Sequence, residues 1–203
     1  MIRNVPLSHC KTLEEFHSTL YEAHEKNEGK GYCDHHHTME EYLKDCESYR
    51  EFGVLQGATV AKAGLCGVKY IQAVDVILSR FAPFAKLFKQ EGIELELHES
   101  STVPHPVEFK GIKYTMTEEV ANLRPVDFML IDDIHEYNHV LEELRLHSHS
   151  VKKYIMLHDT YRLEKKVNDS LHQAALKFCE ESGEWEVEKY SHVSVGHTLL
   201  KRV

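Results

Sequence analysis

Residues 126–160 read VDFMLIDDIHEYNHVLEELRLHSHSVKKYIMLHDT, and this stretch decides the fold of the chain. It contains two short apolar runs, at residues 128–131 and 154–157. The apolar residues between the runs fall roughly at helical spacing and are Val140, Leu141, Leu144 and Leu146. A short apolar run, a helix and a second short apolar run are typical of a βαβ unit with parallel strands. The stretch therefore predicts an α/β fold.

A polar cluster follows each apolar run, DDIH at residues 132–135 and HDT at residues 158–160. The helix of a βαβ unit returns the chain, so both strands of the unit end at the same edge of the sheet. Open α/β sheets bind their ligands at this edge. The sequence thus predicts a ligand site formed by the two clusters.

Length and composition indicate one globular domain of 203 residues, with a helical lid segment at 1–48 and a core at 49–203. A net charge of -9 argues against nucleic acid as the main partner, because phosphate binding needs clustered Lys and Arg. No apolar run is long enough for a signal peptide or a membrane span. The five cysteines lack paired CxxC spacing and are interpreted as reduced thiols, so we expect a cytoplasmic protein with no membrane partner.

The first 50 residues contain two predicted helices, at 13–26 and 39–48, joined by a segment with the sequence CDHHH at residues 33–37. Adjacent side chains point in different directions, whereas zinc sites usually space their ligands by two or more residues. A structural zinc site is therefore disfavoured here. Two alternatives stay open, a loop near the ligand-binding edge and a solvated loop.

A strand predicted at residues 50–55 passes at once into a helix, and Gly53 and Gly57 flank the turn between them. Glycine would let a ligand approach the backbone, and the free N–H groups at the start of the helix attract an anion. A second strand, at 68–74, ends in Asp75, where an acid can accept hydrogen bonds from ribose hydroxyls. The alternative role for Asp75 is the N-cap of the next element. Together these features predict a nucleoside-type cofactor over the first two strands.

The remaining patterns complete a sheet of about seven strands. They predict a helix at 78–90 with Pro83 in its first turn or at a kink, a half-exposed strand at 93–97, an excursion or hairpin at 102–114, a short helix at 117–123, a long helix at 163–181, and an antiparallel pair at 185–190 and 197–203. Glu99 follows the third strand and would reach the same edge as Asp75 and Asp132. Four histidines on predicted helix surfaces are expected to be solvated, and they are His139, His147, His149 and His172.

The E-x-G-x-x-x-G turn at residues 51–57, the acid after the second strand and the terminal antiparallel pair resemble the class I methyltransferases that use S-adenosylmethionine (SAM). The I-D-x-x-H segment at 131–135 and the pair His158-Asp159 are more similar to one branch, the metal-dependent O-methyltransferases of antibiotic and sugar biosynthesis. That branch includes the mycinamicin and macrocin enzymes and cephalosporin-pathway relatives. The resemblance covers roughly residues 30–203 and implies a Rossmann-like, mostly parallel seven-stranded sheet, with helices on both faces and a C-terminal antiparallel hairpin.

The resemblance also implies a role for each matching residue. Asp132 and Asp159 would bind a divalent cation, Mg²⁺ in first place, with His158 as a third ligand where the family usually has an acid. An imidazole ligand would favour Mn²⁺, Fe²⁺ or Zn²⁺ instead, so the identity of the metal stays open. His135 would be the general base. The implied cofactor-binding set is Glu51, Gly53, Gly57, Asp75, Glu99 and Asp132.

The implied reaction is methyl transfer to a hydroxyl of a small molecule or sugar, with the acceptor bound by loops near residues 27–40 and 100–115. One alternative is a non-catalytic SAM-binding relative whose site has drifted, which the substitution at His158 keeps open. Another is an HD-type phosphohydrolase, suggested by His158-Asp159 and the 16 histidines. That class is all-helical, so the predicted strand at 154–157 counts against it. A homo-oligomer is also compatible with the sequence.

Overall fold

The computed structural model describes residues 5–161 and 170–203. Nine strands lie in this part of the chain: β1 Ser48–Phe52, β2 Tyr70–Asp75, β3 Glu94–Glu99, β4 Val107–Phe109, β5 Ile112–Tyr114, β6 Val126–Ile131, β7 Val151–His158, β8 Trp185–Ser191 and β9 His197–Arg202. The helices of the same part are α1 Leu13–Glu28, α2 Asp34–Tyr42, α3 Ala58–Leu65, α4 Ala85–Gln90, α5 Glu118–Ala121, α6 Tyr137–His147 and α7 Ser170–Ser182. The predicted helix at 163–181 corresponds to α7, and its first seven residues lie outside the described residues.

Seven strands form one sheet in the order β3-β2-β1-β6-β7-β9-β8. The first five are parallel to their neighbours, while β9 is antiparallel to β7 and β8 is antiparallel to β9. The predicted mostly parallel sheet with a C-terminal antiparallel hairpin is confirmed. The strand order reverses between β1 and β6, and α/β sheets bind ligands outside the carboxyl ends of the strands at such a reversal.

Helices cover both faces of the sheet, as predicted. Along β6, Phe128 and Leu130 pack into a core with residues of α1, α3 and α4, whereas Met129 and Ile131 pack into a second core with residues of α6 and α7. Successive side chains of a strand point to opposite faces, so one apolar strand supplies both cores. This is why β6 is buried along its whole length and its sequence is nearly all apolar.

The N-terminal helices differ in part from the prediction. α1 begins as expected, where Thr12 and Glu15 form a capping box. α2 begins at Asp34 rather than at residue 39, so the three histidines at 35–37 lie in a helix and not in a loop. His35 and His36 are 4% and 2% exposed, because they lie on the face of α2 that packs against the protein.

The predicted helix at 78–90 is also shorter in the structure. Pro83 lies in a single 3₁₀ turn, Ala82–Phe84, and α4 begins only at Ala85. Proline has no N–H to donate, so it is tolerated at this first turn. β4 and β5 form an antiparallel hairpin, which confirms the predicted excursion. Within the described residues, no helix combines the length and the apolar character that crossing a membrane requires.

Candidate active site

The loops after β6 and β7 bring four polar side chains together at the carboxyl edge of the sheet. Ile131 pairs with Leu157 in the parallel register, so the residues that follow them are neighbours. The four side chains are those of Asp132, His135, His158 and Asp159. The prediction that the two polar clusters would be neighbours at one edge of the sheet is therefore confirmed.

Each of the two imidazoles contacts both carboxylates. The ring of His135 lies between them, with Nε2 3.2 Å from Asp132 Oδ1 and Nδ1 3.0 Å from Asp159 Oδ2. Nδ1 of His158 lies 3.1 Å from Asp132 Oδ1 and 3.9 Å from Asp159 Oδ1. The four groups thus form one connected charged cluster.

Three of these residues lie close enough together to hold one metal ion. One ligand atom from each of Asp132, His158 and Asp159 lies within 4.8 Å of the others. Two carboxylates and one imidazole form a mixed donor set. Mg²⁺ prefers oxygen ligands, whereas Mn²⁺, Fe²⁺ and Zn²⁺ also accept imidazole nitrogen. The residues present therefore fit a divalent cation, and a transition metal fits better than Mg²⁺.

The charges within the cluster shift the pKa values of its members. Burial raises the pKa of Asp132, but the charge of His158 and the hydrogen bond from His135 outweigh burial and hold this pKa below its usual range. Burial lowers the pKa of His158, and the charges of Asp132 and Asp159 outweigh it, with a net rise to about 9. The same carboxylates give His135 a raised pKa against the opposing effect of burial. In both histidines the neighbouring carboxylates therefore favour the protonated form of the imidazole.

The backbone around Asp132 explains why residue 53 is a glycine. Gly53 has a φ of +86°, and a Cβ atom there would lie 2.2 Å from the carbonyl oxygen of Asp132. The N–H of Asp132 donates to the carbonyl oxygen of Phe52 at 2.9 Å, which holds the two loops in contact. At Gly57 a Cβ would lie 2.3 Å from the ring of Phe81. Both glycines thus make room for other parts of the protein, and the close approach of a ligand to them stays a prediction.

The remaining residues of the predicted cofactor set lie on the neighbouring strands. Asp75 accepts hydrogen bonds from the N–H groups of Leu55 and Ile77, both at 2.9 Å, so it holds the loops after β1 and β2. It is not the N-cap of the next element, because the turn at Ala82–Phe84 has Phe81 in that position. Glu99 pairs with Asp75 across the strands, is exposed, and accepts a hydrogen bond from the N–H of Leu78 at 3.2 Å. Both carboxylates therefore lie at the predicted edge and hold the loops that surround it.

Glu51 lies in the interior. Its carboxylate is 1% exposed and accepts hydrogen bonds from the hydroxyls of Tyr49 and Thr59, both at 2.5 Å. Burial raises the pKa of Glu51 to about 8. Glu51 thus links β1 to α3 and is buried away from the edge, and its place in the implied cofactor-binding set stays a prediction.

Two residues of the N-terminal segment lie against the site: His35, which belongs to the segment at 33–37, and Tyr32, which no sequence pattern indicated. The ring of His35 lies 4.1 Å from the ring of His158, and the ring of Tyr32 lies 5.8 Å from it at 90°. Of the two alternatives for residues 33–37, proximity to the ligand-binding edge is therefore the correct one. A helical register that starts at Asp34 would have put His35 on the same face as the buried Met39, and this was the available signal.

Two of the four histidines expected to be solvated are buried. His139 and His147 are 6% and 4% exposed, because α6 turns them toward the protein. Nε2 of His147 lies 2.7 Å from the carbonyl oxygen of Thr102. His172 is half-buried and stacks on Tyr190, with ring centroids 3.8 Å apart. His149 is exposed, as predicted.

Comparison with known proteins gives a match in fold. No family model matches the chain, and no curated protein matches it. Magnesium protoporphyrin IX methyltransferase from Synechocystis, with bound SAM, matches with a TM-score of 0.60 and 8% identity over 85% of this chain and 80% of that chain. An O-methyltransferase from Bacillus cereus, in complex with SAH, matches with a TM-score of 0.57 and 12% identity over 98% of this chain and 94% of that chain.

A third similar structure is an O-methyltransferase from Streptomyces achromogenes involved in tomaymycin synthesis, in complex with SAM. It matches with a TM-score of 0.58 and 12% identity over 93% of this chain and 90% of that chain. The structural neighbours are class I SAM-dependent methyltransferases, including O-methyltransferases, and the chain has their Rossmann-like fold. An HD-type phosphohydrolase would be all-helical, which the sheet contradicts.

Proposed function

We propose that this chain is a SAM-dependent O-methyltransferase of the metal-dependent sugar and antibiotic type, acting on a hydroxyl of a small molecule. A divalent cation would be held by Asp132, His158 and Asp159. The observation that carries the proposal is the convergence of these side chains with His135 at the carboxyl edge of β6 and β7. Solved proteins with the same fold include ones that hold SAM or SAH, although their sequences have low identity to this chain.

The cofactor would bind across the ends of β1, β2 and β3. SAM supplies a methyl group on a positively charged sulfur, which is the electrophile of the reaction. Asp75 already accepts two backbone N–H groups, but each carboxylate oxygen has a second lone pair that can accept a ribose hydroxyl. Glu99 has an exposed carboxylate on the adjacent strand end. These two acids are our candidates for the ribose.

The general base of the proposed reaction is His135. Its Nδ1 has the shorter contact, 3.0 Å to Asp159, and its Nε2 the longer, 3.2 Å to Asp132. Asp159 therefore orients the ring, and Nε2 accepts the proton of the acceptor hydroxyl. A cation that balances the carboxylate charge would favour the neutral form of His135, which could then take that proton. The methyl–sulfur bond breaks as the methyl–oxygen bond forms.

A cation at this site would act as a Lewis acid, lowering the pKa of the acceptor hydroxyl and orienting its oxygen. The side chains of Asp132 and Asp159 would fix the cation beside His135. Tyr32 and His35 cover His158 from the N-terminal side. We therefore assign the 1–48 segment the role of a lid within one methyltransferase-like domain, and we assign the acceptor to the space beside it.

Calorimetric titration with SAM, with and without Mn²⁺ or Mg²⁺, tests this function. Turnover is measured as SAH release with a panel of phenols and sugars. We expect micromolar to millimolar SAM binding and metal-dependent turnover, which falls by at least about 10²-fold in Asp132→Asn and Asp159→Asn. The exposed Asp45→Asn, at the opposite edge of the sheet, is the matched control and should be unaffected.

Two results would count against the proposal. Absence of SAM binding at millimolar concentration would exclude a SAM-dependent enzyme. Binding that does not depend on metal, with turnover unchanged in both aspartate variants, would instead favour a SAM-binding relative whose metal site has drifted.

A further inference from the structure

A second cluster of ligand-type side chains lies in the β6–α6 region and shares no residue with the first. Asp133 belongs to the loop after β6, and His139 and Glu143 lie four residues apart on α6, so they share one helix face. One ligand atom from each of the three lies within 4.8 Å of the others. The proposed methyl-transfer chemistry uses none of them.

Glu143 has a carboxylate that the protein leaves without hydrogen bonds. The residue is 0% exposed, and neither Oε1 nor Oε2 has a hydrogen-bond partner among the described residues. The closest cationic group is the ring of His139, whose Nε2 lies 3.5 Å from Oε1. A buried carboxylate without hydrogen bonds is costly, so its retention needs a physical reason.

The distances within the cluster are longer than those of good hydrogen bonds. Nε2 of His139 lies 3.4 Å from Asp133 Oδ2 and 3.5 Å from Glu143 Oε1. It also lies 3.4 Å from the hydroxyl of Thr102. Ordinary N–H···O bonds are about 2.7–3.2 Å long. In contrast, ligand atoms about 2.1 Å from one ion in tetrahedral geometry are roughly 3.4 Å apart. The two distances from Nε2 to the carboxylates are thus close to the separation expected between ligands of a shared ion.

We propose that Asp133, His139 and Glu143 bind a divalent transition-metal ion at a second site, with the hydroxyl of Thr102 beside it. One imidazole and two carboxylates form a donor set suited to Zn²⁺ or Mn²⁺. The ion would stabilise the carboxylate form of Glu143, which burial disfavours. It also connects the loop that carries Asp132 and His135 to α6, so its role is to position the candidate active site.

The test is ion binding to chelator-treated protein, measured by calorimetry with Zn²⁺ and by Mn²⁺ electron paramagnetic resonance. The double variant Asp132→Asn, His158→Gln removes the first site. We expect this variant to bind one ion per chain, and adding Glu143→Gln should weaken that binding at least tenfold. Adding Glu142→Gln instead should leave it unchanged, because Glu142 is the adjacent and more exposed residue of α6 (37% side-chain exposure).

The result of this test does not depend on whether the first site binds an ion. Should Asp132, His158 and Asp159 bind no ion, the wild-type chain would still bind one ion that Glu143→Gln removes. A far-UV circular dichroism spectrum checks that each variant is folded, and His139→Gln provides a second disruption of the same site. The proposal is overturned if the first-site variant binds no ion, or binds it equally with and without Glu143. The cluster would then be an imidazolium held between two carboxylates.

Discussion

His135 and His158 contact the same two carboxylates, yet their surroundings give them different roles. The side chain of His158 is 2% exposed and lies beneath His35, whereas the side chain of His135 is 31% exposed. A substrate hydroxyl can reach His135 but not His158. We therefore assign proton transfer to His135 and cation binding to His158.

This assignment predicts different kinetic effects for two equivalent substitutions. His135→Gln should lower kcat by about 10²–10⁴-fold, because it removes the base, and should leave the Kd of the cation nearly unchanged. His158→Gln should raise the Kd of the cation at least tenfold, because it removes a ligand, and saturating metal should restore part of kcat. Steady-state kinetics and calorimetry measure the two quantities separately. Equal effects of both variants on kcat and on the Kd would contradict the division of roles.

Gly53 provides a test of how the active-site loop is held. In Gly53→Ala the added Cβ meets the backbone of Asp132, and the φ of +86° is unfavourable for alanine. We expect the free energy of unfolding to fall by roughly 2–5 kcal/mol, together with weaker cation binding. Gly67→Ala is the matched control, since Gly67 has a φ of +95° but nothing within 4 Å of the added Cβ. It should cost only about 1–2 kcal/mol and leave cation binding unchanged.

A contrary result would be equal losses in the two glycine variants, measured by urea denaturation. Backbone strain alone would then explain both losses of stability, and the contact between Gly53 and Asp132 would not contribute to stability.

The residues at strand ends could be identified from the sequence, but their contacts could not. Asp132 and Asp159 follow apolar runs, and that pattern is local. The reason for Gly53 is the backbone of Asp132, which lies far away along the chain. The lack of hydrogen-bond partners for the Glu143 carboxylate likewise depends on burial by other elements. Such non-local contacts cannot be predicted from the spacing of residues along the chain.

Among the elements, the β6–α6–β7 unit was predictable and α2 was not. In β6 and β7 the buried residues are apolar except Asp127 and His158, so the hydropathy pattern predicts these strands directly. In α2 the buried face includes His35 and His36, which a hydropathy pattern counts as polar. The first turn of that helix was therefore interpreted as a loop. A pattern based on hydropathy alone therefore misses a helix whose buried face contains histidine.

The buried His147 at the end of α6 leads us to expect that the stability of the fold depends on pH. Burial lowers the pKa of His147 to about 4, and in the unfolded chain the group has its ordinary pKa near 6.5. Between these values the unfolded chain binds a proton that the folded chain does not. The stability that neutral His147 contributes is thus present above pH about 6.5 and is lost as the pH falls toward 4.

We expect His147 to account for about 1–2 kcal/mol of the fall in unfolding free energy between pH 7 and pH 5. His147→Gln keeps a donor for the carbonyl oxygen of Thr102 but does not titrate, so its stability should depend less on pH. The exposed His149→Gln is the control and should retain the wild-type dependence. Urea denaturation at both pH values gives the comparison. An unchanged dependence in His147→Gln would show that this histidine is not the titrating group.

In the whole molecule, the order of the strands determines what lies beside the acidic cluster. The order places β6 next to β1, with β2 and β3 beyond it. The ends of β1, β2 and β3 therefore lie along one edge with Asp132. Sequence patterns predicted the strands and their types, and the resemblance to methyltransferases implied their arrangement. Pattern alone could not give the order, because strand pairing between distant segments has no local signal.

Cofactor binding at this edge should stabilise the entire chain, since it would bridge residues of several strands. A ligand that binds only the folded state raises the free energy of unfolding by about 2.7 kcal/mol at 100 times its Kd. For a chain of 203 residues this corresponds to a rise in Tm of roughly 5–10 °C. SAM and SAH should both produce the shift in a thermal melt, whereas ATP, which shares only the adenosine, should produce much less. Asp75→Asn should reduce the shift measured against its own ligand-free Tm. The exposed Asp45→Asn should not, and an equal shift in both variants would remove Asp75 from the cofactor site.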